Sequence, residues 1–413
     1  MNNRRLFAAT YGHLSIDLVN ASVAMILTAS AARFDLSISQ IGFGALVYQL
    51  AAAMSQPLFG SLTDNLRGRW VGATGLLWTL LLYTLASFMP TYSLFIGVLM
   101  VGGLGSGAFH AAGLLNASSS GGKKPTLATS VFFVGGQVGY ALGPIIAGVL
   151  LLRMGLGAMP WIALAMLPAV FVMFFYMNDP LPAPAPAVAR GSAAAGAAGR
   201  RGKAHTAAAF SGAVAMTALF ALITFRSGTA QSFSTLLPKY YDLQGISSAQ
   251  YGVMLGVFAM SGAVGTFLGG FMGDRYNRRT LLALVMFLSA PFAWMMLHSS
   301  GWLFVAMAMG AGVFLSIPHS IVLVMAQEMM PNRRGLMGGV TLGFIFASGS
   351  TVAWLASLAA DRVGLPAVLS ALALMPILAG LCALLLPAWG PTRTQVPEPA
   401  DMELAGVVPA AAD

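Results

Sequence analysis

The chain has 413 residues, of which 58% are hydrophobic and only 8% are charged. A soluble globular protein carries about 25% charged residues, so most of the surface of this chain must face a non-aqueous solvent. The single cysteine, Cys382, excludes a disulfide framework within the chain. The composition therefore predicts a polytopic membrane protein.

Apolar segments of membrane-spanning length recur from one end of the chain to the other. A bilayer core requires about 20 apolar residues per helix, and backbone groups in lipid must be hydrogen-bonded within the span, which favours helices. We predict an all-α membrane protein with twelve transmembrane helices. These predicted spans 1 to 12 lie near residues 6–32, 41–62, 71–89, 93–115, 126–152, 157–177, 209–237, 250–272, 280–298, 302–326, 336–359 and 365–388.

The basic residues are distributed unevenly between the loops. Of the 21 Lys and Arg residues, sixteen lie at the N-terminus, in alternate loops or in the C-terminal tail, four lie in the remaining loops, and Arg226 lies inside span 7. This bias predicts that both termini are cytoplasmic, in the inner membrane of a bacterium. The net charge of +9 is then a topology signal, and we predict no nucleic-acid partner.

The sequence divides into two similar halves. Residues 1–178 and 209–388 each hold six spans, and the Pro/Ala/Gly-rich segment 179–208 is typical of a flexible cytoplasmic linker. We predict a disordered tail over residues 389–413. Three matched pairs share an offset of 210 residues: Gln40 and Gln250, Gly60 and Gly270, and Asp64 and Asp274. Such repeats are typical of secondary transporters and predict two pseudo-symmetric six-helix bundles.

The loops after spans 2 and 8 carry the same motif. Its residues are Gly60, Asp64, Arg67 and Arg69 in the first loop and Gly270, Asp274, Arg275 and Arg278 in the second. Glycine permits close helix packing, and an aspartate at a helix end pairs with arginine or with a helix N-terminus. Both loops resemble the Gly-x-x-x-Asp loop of the major facilitator superfamily. The resemblance implies a conformational gate, to which we add Glu328 and Arg334. Plain topology anchors are the alternative for these charges.

Three further stretches resemble the fosmidomycin-resistance type of exporter in that superfamily. They are Gly105–His110 on span 4, Ser130–Pro144 on span 5 and Ala326–Gly335 between spans 10 and 11. That type follows its span-4 Phe-His pair with Pro and an acidic residue, whereas this chain has Ala111 and Ala112. The resemblance implies the major facilitator fold and the export of small molecules, including an anionic phosphonate drug, in exchange for protons.

Few strongly polar side chains lie inside the spans, and such residues are costly in lipid, which makes them candidates for function. We predict a substrate and proton-coupling cavity formed by His13, Asp17, Asn20, His110, Arg226, Gln231 and His319. The resemblance implies that spans 1, 4, 7 and 10 line the cavity, and these residues all lie on those spans. Asp17 and Arg226 lie at similar depths in equivalent spans. We hypothesise that they pair, directly or through the substrate, in one state.

Less specific interpretations stay open. Asp17 with His13 also fits a structural pair on one helix face, and His319 fits a hydrogen-bonded packing residue. Four glutamines fit hydrogen bonding between helices: Gln49, Gln56, Gln137 and Gln231.

Span 5 carries a glycine and proline pattern that predicts close packing and a bend. Gly139 and Gly143 permit a neighbouring helix to approach. Pro144 removes one backbone hydrogen bond from the helix. Ordinary packing without a bend is the alternative.

These features predict a secondary active transporter that moves a small anionic organic solute by alternating access. A proton-coupled exporter is the preferred interpretation, because histidine titrates near neutral pH and His110 and His319, when protonated, would join Arg226 in attracting an anion. The alternatives are an importer or uniporter of an organic acid, sugar or siderophore-like metabolite, and a membrane sensor that does not transport. No Ser/His/Asp order, metal-ligand spacing or phosphate loop is present, so we predict no enzyme, no cofactor and no metal. The expected partners are the solute, protons and lipid, with a monomer as the working unit.

Overall fold

The computed structural model describes residues 1–66, 70–122, 125–179, 204–273, 275–329 and 334–387. Within these ranges the side chains at 64, 125–127, 204–213, 327–329, 334–336 and 338–339 are not described. The central part of the predicted linker and the predicted tail therefore lie outside the described residues.

Helices make up almost all of the described chain. In order they are α1 (Asn3–Phe34), α2 (Ile38–Asn65), α3 (Val71–Ala86), α4 (Tyr92–Ser120), α5 (Pro125–Met154), α6 (Ala158–Tyr176), α7 (Ala204–Leu243), α8 (Ser248–Gly273), α9 (Arg278–Leu297), α10 (Gly301–Ser316), α11 (Pro318–Met329), α12 (Arg334–Val363) and α13 (Leu365–Leu384). A short 3-10 turn, Gly155–Gly157, joins α5 to α6. The predicted all-α class is confirmed.

Predicted span 10 is interrupted and consists of two helices, because α10 ends at Ser316 and α11 begins at Pro318. Proline has no backbone N–H, and its ring clashes with the carbonyl one turn earlier. Together α10 and α11 occupy the place of one span, so the helices of the described chain fit a twelve-span arrangement.

Nine stretches among the described residues are long and apolar enough to cross a membrane. One of them, Ala128–Tyr176, contains both α5 and α6, and α3 is a shorter apolar helix. Helix α7, which carries Arg226, is not among the nine.

Helices α1–α6 form one bundle and α7–α13 form a second. The bundles meet along two interfaces, α2 against α12 and α5 against α8. Gly42 of α2 and Gly252 of α8 each lie at one of these interfaces. A Cβ atom at Gly42 would overlap Ser357 of α12, and one at Gly252 would overlap the carbonyl oxygen of Pro144 in α5. The repeat offset thus brings equivalent glycines to equivalent contacts, which supports two pseudo-symmetric bundles.

The two bundles touch at one end and diverge toward the other. Along α8, Gly252 and Gly256 lie against α5 of the other bundle. Four glycines further along α8 lie against their own bundle, where they contact α10, Ile317 and α11. They are Gly262, Gly265, Gly269 and Gly273. We call the joined end, which holds the α1–α2 and α7–α8 turns, the closed end. The opposite end, which holds Met1 and the α8–α9 loop, is the open end.

Candidate functional site

A cavity of about 330 Å³ lies between the two bundles. Its wall includes residues from both bundles. The structure places all seven predicted cavity residues on this wall: His13, Asp17, Asn20, His110, Arg226, Gln231 and His319. Their roles in binding or coupling stay predictions.

Asp17 is the centre of a hydrogen-bonded cluster in the first bundle. His13, one turn earlier on α1, places its Nε2 atom 3.1 Å from Asp17 Oδ2. His110 of α4 places its Nε2 atom 3.2 Å from Asp17 Oδ1. The helical spacing of His13 and Asp17 predicted the first contact, whereas the second depends on how α4 packs against α1.

The other nitrogen of each histidine faces a backbone carbonyl. His13 Nδ1 lies 2.8 Å from the oxygen of Phe132, and His110 Nδ1 lies 2.7 Å from the oxygen of Ser106. A carbonyl oxygen only accepts hydrogen bonds, so both Nδ1 atoms carry a hydrogen and donate it. Each imidazole is thereby oriented with Nε2 toward Asp17.

This geometry provides two positions for a shared proton, one at each Nε2–carboxylate contact. Each Nε2–carboxylate contact requires one hydrogen, carried by the imidazole or by the carboxyl group. With both protons present, the cluster has one net positive charge from two imidazoliums and one carboxylate. Without them it has one net negative charge, and nitrogen and oxygen lone pairs face each other at 3.1 and 3.2 Å. Any proton exchange by this cluster would take place at these two contacts, and such exchange stays a prediction.

The three side chains differ in their access to the cavity. The side chain of His13 is 4% exposed, whereas those of Asp17 and His110 are 18% and 26% exposed. The ring of His13 stacks on Phe132 with ring centroids 4.0 Å apart. A Cβ atom at Gly136 would overlap the His13 ring and Asp17, so only glycine lets α5 approach here. His110 is the member most open to solvent in the cavity.

Two residues that the sequence reasoning missed extend this cluster. Asn20 Nδ2 donates to Asp17 Oδ1 and to Ser106 Oγ, both at 3.0 Å. The hydroxyl of Tyr48 on α2 donates to Asn20 Oδ1 at 2.6 Å. Ser106 and Tyr48 are common residue types in membrane helices, and no local pattern distinguished them. The contacts connect α1, α2 and α4 around the carboxylate.

Arg226 of α7 is the charged residue on the opposite wall. Its Nε atom donates to the carbonyl oxygen of Leu315 at 2.7 Å, and its Nη1 atom donates to His319 Nδ1 at 3.3 Å. Leu315 lies in the last turn of α10, just before the interruption at Pro318. Interrupted helices often supply carbonyl groups to transporter sites. The guanidinium is therefore held beside the interruption of the span, between Leu315 of α10 and His319 of α11.

His319 acts as a neutral acceptor toward Arg226 in this arrangement. A guanidinium only donates, so His319 Nδ1 has a free lone pair and the hydrogen lies on Nε2. This differs from our expectation of a protonated His319 that attracts an anion by its own charge. In the described part of the chain Arg226 forms no ion pair, so its positive charge and the Nε2–H of His319 remain for a ligand.

Asp17 and Arg226 share one cavity but do not form an ion pair in this conformation. Asp17 is held by the two histidines, and Arg226 is held by Leu315 and His319. Pairing of the two charges in another state stays a prediction. The four glutamines for which hydrogen bonding between helices was an open interpretation all line the cavity: Gln49, Gln56, Gln137 and Gln231.

The sequence profile of the Major Facilitator Superfamily matches residues 9–262 and 220–410 of the chain. The chain belongs to this superfamily. Its members are membrane transporters, so the predicted resemblance is confirmed and an enzyme is excluded.

Among curated proteins, the chain is 28% identical over 404 residues to the fosmidomycin resistance protein of Escherichia coli (strain K12), covering 92% of each chain. It is also 28% identical over 387 residues to the uncharacterized MFS-type transporter YfnC of Bacillus subtilis (strain 168), covering 91% of each.

Solved structures confirm the fold. A bacterial homolog of the human lysosomal transporter Spinster, in an inward-facing and occupied conformation, superposes with a TM-score of 0.73 at 13% identity, over 92% of this chain and 95% of that one. A D-xylose-proton symporter superposes with a TM-score of 0.69 at 13% identity, over 93% and 97%.

Only part of the predicted gate of this transporter lies in the described structure. Outside it lie Arg67, Arg69 and Asp274 and the side chains of Asp64, Glu328 and Arg334. Arg275 places its guanidinium 3.9 Å from the centre of the Phe271 ring, and Arg278 Nε donates to the carbonyl oxygen of Gly273 at 3.0 Å. A gating role for these residues stays a prediction.

The two motif glycines have no close neighbour among the described residues. Within that part of the chain, a Cβ atom at Gly60 would meet nothing within 4 Å, and one at Gly270 would just reach Ser320 at 4.0 Å. Both lie toward the open end, where the bundles have separated. Close packing at these glycines would require the other conformation of the transporter.

The predicted packing residues of α5 lie at helix contacts. Cβ atoms at Gly139 and Gly143 would overlap the carbonyl oxygens of Leu14 and Leu18 on α1. Pro144 lies inside α5, which continues to Met154, and its carbonyl meets α8. Close packing is therefore present at all three positions, and a functional bend stays a prediction.

The Asp17 cluster also has the spacing of a metal site. The ligand atoms of His13, Asp17 and His110 all lie within 4.8 Å of one another. Each of these atoms already takes part in a hydrogen bond that a shared proton satisfies. Protons and a divalent cation would therefore compete for the same three side chains.

Proposed function

We propose that this transporter exports a small organic anion from the cytoplasm and couples the movement to protons. The observation that carries the proposal is the arrangement of two charged groups across one cavity. The Asp17 cluster, which can exchange protons, lies on the first bundle. Arg226, which has no counter-ion among the described residues, lies on the second.

Arg226 supplies a positive charge that does not depend on pH in the physiological range, because a guanidinium stays protonated. An oxyanion can accept hydrogen bonds from the remaining Nη atoms and from His319 Nε2–H. The solute can therefore bind after protons have left the Asp17 cluster, which exchange of solute for protons requires. The fosmidomycin resistance protein, 28% identical over 404 residues, supports the export direction.

The basic residues favour a cytoplasmic location for the open end. The α8–α9 loop with Arg275, Arg278 and Arg279, and the N-terminal Arg4 and Arg5, all belong to this end, and cytoplasmic loops carry an excess of Lys and Arg. We therefore propose that the structure is open to the cytoplasm, with both termini on that side of a bacterial inner membrane. One chain supplies the whole cavity wall, which supports a monomer as the working unit.

Import by cotransport is the second candidate, and the charge of the cluster favours it. Protonation changes the cluster from one negative to one positive charge, which strengthens the binding of an anion in the same cavity. By linkage, anion binding then strengthens protonation by the same factor. Binding that takes up protons is typical of cotransport, whereas binding that releases protons is typical of exchange.

Proteoliposomes with an imposed pH gradient distinguish the candidates. Radiolabelled fosmidomycin serves as the probe, and each measurement is made with and without a metal chelator. Exchange predicts that an acidic interior drives accumulation of the probe, whereas cotransport predicts that an acidic exterior does so. The mixed orientation of the protein leaves the sign of the result unchanged.

Accumulation driven by an acidic interior, unaffected by the chelator, would support export in exchange for protons. Accumulation driven by an acidic exterior would overturn that direction in favour of import. Equilibration of the probe without accumulation under either gradient would refute proton coupling. The absence of any flux, together with retained binding, would favour the membrane sensor. Loss of activity with the chelator would assign the Asp17 cluster to a metal instead of protons.

A further inference from the structure

The start of α2 lies at the closed end, where the two bundles meet. A new helix leaves its first backbone N–H groups without partners inside the helix. Ser37 and Gln40 satisfy some of them as a capping box: Gln40 N donates to Ser37 Oγ at 3.2 Å, and Ser37 N donates to Gln40 Oε1 at 2.9 Å. The N–H groups of Ile38 and Ser39 are not part of this box.

Asp361 from the other bundle satisfies these two groups. Ile38 N donates to Asp361 Oδ1 at 2.9 Å, and Ser39 N donates to Asp361 Oδ2 at 3.0 Å. Asp361 lies in the last turn of α12, more than 320 residues away in sequence. Its carboxylate also lies at the positive end of the α2 helix dipole. Both of its oxygen atoms are thus bonded across the boundary between the bundles.

The neighbouring contacts show that these bonds belong to one conformation. Gly42, one turn further along α2, packs so closely on α12 that a Cβ atom would overlap Ser357. The rings of Phe43 and Trp354 lie 6.3 Å apart across the same boundary. If the bundles rock apart at this end, α2 and α12 separate and Asp361 can no longer reach Ile38 and Ser39.

The equivalent interface, between α5 and α8, has no such carboxylate among the described residues. The turn before α8 repeats the Ser-x-x-Gln pattern: Ser247 N donates to Gln250 Oε1 at 3.2 Å, as at α2, and Ser247 Oγ donates to the same oxygen at 2.8 Å. Across this boundary Ser248 Oγ donates to the carbonyl oxygen of Gly148 at 2.9 Å. The residue 210 positions before Asp361 is Leu151. The pseudo-symmetric bundles therefore use an acidic cap between α2 and α12 only.

We propose that Asp361 is a positioning residue for the transport cycle, which stabilises the conformation closed at this end by capping the N-terminus of α2 across the two bundles. The bonds must break each time this end opens. The strength of the cap therefore sets part of the balance between the two conformations. This inference does not depend on the solute, on protons or on the direction of transport.

Distances between spin labels test the proposal in the full-length protein. Cys382 is replaced by Ser, since it is the single cysteine. Labels at Phe88 and Leu243, which are 67% and 62% exposed, report the separation of the bundles at the closed end. Asp361→Ala is expected to raise the ratio of open to closed populations there about fivefold, the size of effect typical of losing a helix cap.

A second label pair at the open end gives an independent measurement. Leu66 and Tyr276 are 39% and 57% exposed and lie on different bundles. Rocking predicts that Asp361→Ala shortens their separation as the closed end opens. Local fraying of α2 would change the first pair alone, and that outcome would contradict the proposal.

Asp242→Ala is the matched control. Asp242 also lies at the closed end, but it pairs with Lys239 of its own helix at 3.0 Å. Its loss is expected to leave both label pairs unchanged, whereas a shift equal to that of Asp361→Ala would overturn the proposal.

Two conservative variants distinguish the loss of the helix cap from a general folding defect. Asp361→Glu keeps the charge and is expected to recover part of the closed population. Asp361→Asn keeps the shape and one acceptor, and it is expected to give an intermediate shift. If Asp361→Ala and Asp361→Asn both give the same distance distributions as the wild type, the proposal is overturned.

Discussion

Replacement of Arg226 by methionine should weaken anion binding while leaving the fold intact. A guanidinium has five N–H groups, of which one is bonded to Leu315 and one to His319. The others remain for a solute. A hydrogen bond to a charged group contributes about 1.5–3 kcal/mol, and each 1.4 kcal/mol is a factor of ten in Kd. Loss of one such bond to the anion should therefore raise Kd about 10- to 150-fold.

The same substitution should change thermal stability little. An ionised side chain inside a membrane protein is costly when it has no partner of opposite charge, and Arg226→Met removes that cost. The substitution also removes the hydrogen bond from Arg226 Nε to the carbonyl oxygen of Leu315, and a water molecule in the cavity can donate to this oxygen in its place. The two effects oppose each other, so Tm should stay near that of the wild type.

Arg5 provides a control with the same burial, since both side chains are 6% exposed. Arg5 donates to the carbonyl oxygens of Tyr176 and Asp179 and so ties the start of α1 to the end of α6. Arg5→Met should lower Tm and leave Kd unchanged. Binding measured by calorimetry and unfolding measured in detergent together check both variants. An unchanged Kd in Arg226→Met, or equal loss of Tm in both variants, would refute the assignment of Arg226 to the anion.

Three further substitutions, one of them with a control variant, test the site and its packing. Asp17→Asn should abolish accumulation driven by a pH gradient in proteoliposomes but retain solute exchange without a gradient; retained accumulation would remove Asp17 from the coupling step. Gly139→Ala should lower Tm, because its Cβ would overlap the carbonyl oxygen of Leu14. Gly97→Ala is the control and should not lower Tm, since a Cβ atom there would meet nothing within 4 Å among the described residues. Pro318→Ala restores a helical N–H and should weaken anion binding in calorimetry by letting the interrupted span become continuous; an unchanged Kd would contradict this role.

Much of the architecture was predictable because hydropathy and repetition are local properties of the sequence. Segment length indicated the spans, and the 210-residue offset that pairs Gln40 with Gln250 also pairs Gly42 with Gly252. The few polar residues inside apolar segments also indicated the cavity, since all seven lie on its wall. Such residues are costly in lipid, so a small number of them is a strong signal.

The partners of these residues were less predictable. Only the contact of His13 with Asp17 follows from helical spacing. Tyr48 and Ser106 join the cluster because α2 and α4 pack beside α1, and neither carries a pattern of its own. The glutamines were ambiguous for the same reason, because a helix presents polar groups to a neighbour or to a cavity with the same spacing.

The sequence alone determined that this protein is a two-bundle membrane transporter with charged residues inside its spans. Composition, hydropathy and the internal repeat are sufficient for that conclusion, because they reflect the solvent around each segment and not its neighbours. Only the tertiary structure decided that His110 of α4 joins His13 in contacting Asp17, that Arg226 is held beside the interruption of a span, and that Asp361 bonds to the start of α2 across the boundary. These contacts join residues roughly 90 to 320 positions apart, and only the packing of the helices brings them together.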